Sequence, residues 1–312
     1  MVHGICQQLR KTKGPSFADK IGYPSTFKLE TPRQLFLSME WILNHLIDKF
    51  DDEKIDKCEW YDFIWTTFRL IRRKITQFEL DDLDAVHMLE VFTRFHIFSA
   101  HNMSEFTSSG FVEHLNFENL GKCLITLNHF YDDFSRRSIH CENEAEFRAY
   151  FLLYFSRSDI VMTVTRFDPV IRKSSAVQFA VKCLSAIDSN NYIVFFKMVQ
   201  KADFLTSCML HRYFYEVRKK SFQIMSKAFI RSSESLKYRK SGLKKLLAFE
   251  DEDELNEFCN HIGIEADEQS VIFSKKNLIE KEIPPNRRIS NQLIEYKRKS
   301  QSLSKIIGKK KA

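Results

Sequence analysis

The chain has 312 residues, 44% hydrophobic and 29% charged, with Phe abundant at 29 against only 8 Gly and 6 Pro. That length gives room for one large or two small domains with a substantial core. The scarcity of Gly and Pro disfavours a turn-rich, many-stranded fold and favours long helices joined by short polar links. No run of 18 apolar residues occurs, and even Ile160–Phe167 is interrupted by Thr163, Thr165 and Arg166, so no membrane insertion is expected.

The net charge of +7 is unevenly spread. Residues 271–312 hold twelve Lys or Arg against three Glu, which leaves 36 bases against 38 acids in residues 1–270. A basic end of this kind points to a polyanionic partner or an import signal. Seven scattered Cys, without a C-x-x-C pair, read as reduced thiols, and Met1–Gly4 shows no signal-peptide pattern, so an intracellular protein is expected.

Residues 1–30, with Gly14-Pro15 and Tyr23-Pro24, are expected to be an extended arm. Thr31, Pro32 and Gln34 form a helix start, with Phe36, Met39, Leu43 and Leu46 as its buried stripe. Further helices are expected over 59–78, with Phe63, Leu70 and Ile71 inward, and over 82–98. A Ser-rich loop at 101–110 is followed by helices over 116–134, 143–154, 174–187, 192–199, 202–214 and 218–230. Asn143 and Glu146 have the spacing of a capping box, and Phe147, Tyr150, Phe151 and Tyr154 then recur at i, i+3, i+4 and i+7 on one face.

The Asp188–Asn191 link is short enough for a helical hairpin, and hairpins repeated in this way stack into an irregular α-solenoid over 31–240. After Lys240 the pattern changes. Short helices over 242–249 and 253–262, a strand at Val271–Phe273, a turn at Lys275-Lys276 and a second strand at Leu278-Ile279 predict a C-terminal winged helix with a small β-hairpin over 241–296. Residues 297–312 are expected to be a disordered basic tail.

Several motifs resemble one family, the SAC/GANP domain of the Sac-three type, the scaffold of the TREX-two messenger-RNA export complex, which also has shorter centrosome-linked members. The turn Tyr131-Asp132-Asp133 and the octapeptide Asn143-Glu144-Ala145-Glu146-Phe147-Arg148-Ala149-Tyr150 are the most specific. The run from Arg69 through Arg72 to Ile75, the segment Arg94-Phe95-His96 and the stretch Tyr213–Arg218 are similar in type and order, over roughly Cys6 to Tyr296. Trp65-Thr66-Thr67 stands where that family has Asp-Arg-Thr, and Lys74 where an Asp is common. The resemblance implies a PCI-like, TPR-like helical array closed by a winged helix, a PCI-domain subunit and a small acidic disordered subunit as partners, and nuclear or nuclear-envelope localisation. The short length suggests cytoplasm or centrosome, with a structural role there, as the alternative.

Enzyme motifs are absent from the sequence. There is no H-E-x-x-H, His96 and His101 are five apart and off one helical face, and the glycines are too dispersed for a phosphate loop, so neither metal nor cofactor is expected. The acidic pairs Asp81-Asp82 and Asp132-Asp133 read as turn and helix-end charges rather than acid–base catalysts. Candidates for nucleic-acid contact are Lys237, Arg239, Lys240, Lys244, Lys245, Lys275, Lys276, Arg287, Arg288, Lys297 and Arg298, interleaved with Tyr238, Phe273 and Tyr296. The expected function is a non-catalytic scaffold binding a PCI-domain partner and RNA or DNA.

Overall fold

The structure is a computed structural model that describes residues 16–155, 159–229, 235–274 and 287–309. The chain is mainly helical with one small antiparallel sheet, and it divides into two compact units, Met1–Leu80 and Asp81–Ala312.

In the first unit, α1 (Phe17–Ile21) lies within the stretch expected to be extended. Ser16 and Asp19 cap it reciprocally, and Gly22 ends it at φ 70, a left-handed position that favours glycine. Phe17 and Tyr23 place their rings 5.7 and 5.1 Å from that of Phe63, which ties this segment down. Helix α2 (Pro32–His45) starts as expected, with Thr31 Oγ1 accepting from the Gln34 amide at 3.3 Å, and buries Leu35, Met39, Ile42 and Leu43. Asp56 caps α3 (Lys57–Gln77), whose inward stripe is Trp60, Ile64, Phe68, Ile71 and Ile75. Leu70 is off that stripe and 43% exposed, contrary to its expected inward position.

The second unit is built around α4 (Leu83–Asn102), in which every residue from Ala85 to Asn102 is buried. It is buried on all sides, as suits a helix enclosed by neighbours, and it carries polar groups such as Glu90, Arg94 and His96 into the interior along with its apolar side chains. Helix α5 (Glu113–Arg136) packs along it, and a 3₁₀ turn at Ser104–Ser109 fills the segment expected to be an open loop. Helix α6 (Glu144–Phe155) lies on α5; Leu152 and Leu153 are buried as well as Phe147 and Tyr150, so its burial exceeds a single stripe. Two short helices, α7 (Ile160–Thr165) and α8 (Pro169–Lys173), lead to α9 (Ser175–Asp188), which packs on α6. A short link with Asn190 at φ 53 connects it to α10 (Tyr192–Lys201), and the two pack together.

One long helix was expected over 202–214. Asp203 instead caps a shorter α11 (Phe204–His211) by accepting from Thr206 N at 2.9 Å, and α12 (Phe214–Phe229) begins four residues earlier than expected. Strand β1 (Leu236–Arg239), α13 (Lys240–Leu247), α14 (Glu252–His261), β2 (Glu265–Ala266) and β3 (Ser270–Phe273) follow. The sheet order is β1-β3-β2, antiparallel, with Tyr238 opposite Val271 and Ala266 opposite the same Val271.

Both sides of β3 are therefore taken at Val271 and Ile272; the expected strand at Leu278-Ile279 and the Lys275-Lys276 turn lie outside the described residues. Phe222 joins the sheet to the helices, its ring 5.7 Å from Phe273 and 5.4 Å from Phe258.

Residues 287–309 form a strap rather than the disordered basic tail expected from 297 onward. Leu293 and Ile294 are buried, a 3₁₀ turn spans Glu295–Lys297, and α15 (Leu303–Ile307) packs on α4 through buried Leu303 and Ile307. The i, i+4 spacing of those two apolar residues supplies the anchoring face that a count of lysines conceals.

Candidate nucleic-acid interface

The basic residues singled out in the sequence do not form one surface. Lys240 is buried at the start of α13, and the Lys297 ammonium reaches the Val199 carbonyl and, at 2.6 Å, Ser207 Oγ; burial pushes Lys297 down to about 8. Arg287 pairs with Glu113, and Arg288 with Asp251 at 3.4 Å and Glu257 at 2.8 Å. Arg298 belongs to the strap and is half-buried. Lys275 and Lys276 lie outside the described residues.

Of the described candidates, Lys237 and Arg239 on β1 and Lys245 on α13 are exposed and Lys244 on α13 is half-buried; β1 and α13 touch each other. Lys237 makes an exposed pair with Asp267 in the turn between β2 and β3 at 2.8 Å, which a phosphate could compete for. Tyr238 is half-buried against α13, where a Cβ on Gly242 would meet its ring at 3.0 Å, so glycine permits this approach. The facing chemistry of α14 is opposite in sign: Glu252, Asp253, Glu254 and Glu257 are its charged side chains, and the turn after β2 holds Asp267 and Glu268.

The motif residues come together in the interior. Glu90 on α4 accepts from Tyr131 OH at 2.9 Å and from Asn143 Nδ2 at 2.7 Å, while Arg94, one turn on, donates Nε and Nη2 to the two Glu146 oxygens at 2.9 and 3.1 Å. Tyr150 OH donates to Glu146 at 3.2 Å, and the Arg94 guanidinium lies 4.7 Å above the Phe147 ring. The capping box expected at Asn143 and Glu146 is therefore not formed by these side chains, because both are committed to α4, where buried charged groups require partners.

Burial raises the Glu90 carboxyl, with Arg94, Asn143 and Tyr131 opposing, and burial also lifts the Tyr131 and Tyr150 hydroxyls well above their usual range. Burial pulls Arg94 down, but Glu146 and Glu90 outweigh it and leave the guanidinium above its usual value. The cluster clamps α4, α5 and α6 together.

Arg148 extends the clamp, donating to Glu144 at 3.0 Å and Asp132 at 2.6 Å while lying over the Tyr131 ring. Asp133 faces outward to Arg136. In the first unit, Arg69 is exposed over Trp65 and Arg72 is half-buried. Glu90 was not evident as a site residue from sequence, although a Glu and an Arg four apart in a helix with no exposed face are the signal that could have found it. Arg218 on α12 was also visible only within a longer motif; it is buried, donates to Leu247 O and to Glu254, and lies 4.0 Å over Phe249.

The strap is stitched to this core at several points. Arg94 Nη1 donates to the carbonyls of Ile307 and Lys309 at 3.4 and 3.2 Å, Ile289 N donates to Glu105, and Glu250 accepts from Ser290 Oγ at 2.7 Å and the Gln292 amide. Under it, His101 and His211 bring their Nδ1 atoms to 3.0 Å, and His101 Nε2 is 3.3 Å from Glu295. Burial, with Arg287 adding to it, pushes His101 down to about 3; burial, then His101 and Arg218, holds His211 well below its usual range.

Among the described residues no group of His, Cys, Asp and Glu is arranged to hold a metal ion, and no helix is long and apolar enough to cross a membrane.

The chain is 29% identical to Protein xmas of Drosophila melanogaster over 283 residues, 88% of this chain and 14% of that protein. It is 28% identical to SAC3 family protein 1 of Schizosaccharomyces pombe over 85% of this chain and 28% of that protein, and 30% identical to SAC3 family protein B of Arabidopsis thaliana over 58% of this chain and 11% of that protein. The chain thus spans about a quarter or less of the length of these relatives. The family description SAC3/GANP family matches residues 18–268, which include the whole Glu90–Arg94–Tyr131–Asn143–Glu146 cluster and the sheet's first two strands. With most of its length matched, this chain belongs to the SAC3/GANP family.

Proposed function

We propose that the chain is a non-catalytic scaffold of the messenger-RNA export type, acting in the nucleus. In this reading the helices of the solenoid present surfaces to a PCI-domain subunit and a small acidic disordered subunit, and the β1-to-β3 segment is a winged helix that carries nucleic acid on the β1/α13 face. The observation that carries the reading is the family match over residues 18–268. The connectivity β1–α13–α14–β2–β3 with sheet order β1-β3-β2 supports the winged-helix assignment. The clamp also supports a structural role, because its carboxylates and guanidinium satisfy one another.

Co-expression of the full chain with the PCI-domain subunit of the same organism tests the proposal. The expected result is co-elution as one species on size exclusion, with the chain's own melting temperature raised by the partner. Separate elution and an unchanged melting temperature contradict it.

A further inference from the structure

We infer that a cleft between α10, α13 and the strap binds one unstacked nucleotide of a single-stranded nucleic acid; this rests on the nucleic-acid reading above and narrows it to a strand state and a site. The cleft holds about 400 Å³ and is lined by Gln200 from α10, Ser241, Lys244 and Lys245 from α13, and Gln292 from the strap, with Glu252 on the α14 side. That volume falls in the range of small-ligand clefts, about 300–1,000 Å³.

Its lining divides by chemistry. Two ammonium groups on one helix suit a phosphate, while two carboxamides and a hydroxyl suit the hydrogen-bonding edge of a base, since amides both donate and accept. Gln292 is already oriented, its Nε2 donating to Glu250 O at 3.0 Å. Glu252 opposes the lysines and sets the polarity, with phosphate toward Lys244 and Lys245 and away from α14.

Charge distribution selects the strand state. A duplex docked in the helix-turn-helix manner receives the second helix of the pair in its major groove. Here that helix is α14, which opens on the exposed Glu252 and Asp253, while its Glu254 and Glu257 are paired with Arg218 and Arg288, and the adjoining turn adds Glu268. Two phosphate backbones would be pressed against these carboxylates. A single strand can avoid them by lying along α13, with its phosphate at Lys244 and Lys245 and its base in the cleft. Unstacked bases exposing their hydrogen-bonding edges are what such a path can read.

The experiment is fluorescence anisotropy on the full chain with 12-nucleotide single-stranded RNA, single-stranded DNA and a duplex of equal length, at fixed salt. Single strands are expected to bind at least about tenfold tighter than duplex. Gln200→Ala is expected to weaken single-strand binding about fivefold with the salt slope unchanged. Lys244→Gln should lower the slope by about 0.7. The RNA and DNA arms differ only if the site reads the sugar.

Duplex binding equal to or tighter than single-strand binding overturns the inference while leaving the basic face intact. So does an unaltered affinity in both Gln200→Ala and Lys244→Gln, with melting temperatures at the parent value. Failure of all three probes to bind overturns the nucleic-acid reading as well.

Discussion

Arg94 occupies a position where an unpaired charge is costly: it is fully buried, and each of its donors has a use, two to Glu146 and others to the strap carbonyls. Arg94→Ala leaves the Glu146 carboxylate without its cation and is expected to cost about 3–5 kcal/mol in chemical denaturation, as for a broken buried pair. A loss below 1 kcal/mol contradicts the clamp.

Phe147, buried beneath the same guanidinium, should cost about 3–5 kcal/mol on truncation to Ala. An unchanged unfolding midpoint would remove it from the core. Much of this cluster was legible in the sequence, because Tyr131, Asn143, Glu146 and Tyr150 fall in short recognisable motifs. Glu90 was not, since its meaning lies in residues 41 and 53 positions away. Asn143 and Glu146 were readable as residues but not in their use, because a local capping pattern competes with tertiary partners and here the tertiary partners win.

Among the elements, the contact between α4 and α11 beneath the strap carries the clearest pH dependence. His101 and His211 are neutral in the fold, and their folded values lie below the unfolded value of about 6.5. The unfolded chain therefore takes up protons first as pH falls, so their contribution to stability is complete above about pH 6.5 and is lost below it. Two such groups give a slope of up to about 2.7 kcal/mol per pH unit. Thermal melts between pH 7 and pH 5 should show the melting temperature falling with pH; a flat curve sinks this expectation.

Ile307→Ala, at the buried end of the strap, should destabilise by about 2–5 kcal/mol on the same assay. Helices were legible because their caps and stripes are local, as at Thr31. Strands β1 and β2 were not, being four and two residues long with largely exposed side chains and no alternation to read. The strap was hidden for a related reason: its two anchoring residues sit among lysines whose number suggested disorder.

At the scale of the whole molecule, charge is partitioned. Cations dominate residues 271–312, yet of the strap's bases Arg287 is committed to Glu113 and Lys297 to a carbonyl and a hydroxyl, while Arg288 pairs with the surface carboxylates of Asp251 and Glu257. Among the described candidate residues, Lys237, Arg239, Lys244 and Lys245 stay available to a polyanion, and if these four contact phosphates the log–log salt slope on a single strand is about −2.8. Composition located the basic end correctly but could not separate charges that hold the fold from charges that face solvent, because that distinction depends on residues such as Glu113 and Glu257, distant in sequence.

The most direct test is the salt-dependent single-strand affinity and melting temperature of two double charge reversals, Lys244→Glu with Lys245→Glu and Arg287→Glu with Arg288→Glu. The first pair is expected to weaken binding and flatten the salt slope by about 1.4 at an unchanged melting temperature. The second is expected to lower the melting temperature while folded molecules bind as before. The opposite pattern, with stability lost at the lysines and binding lost at the arginines, would contradict the account.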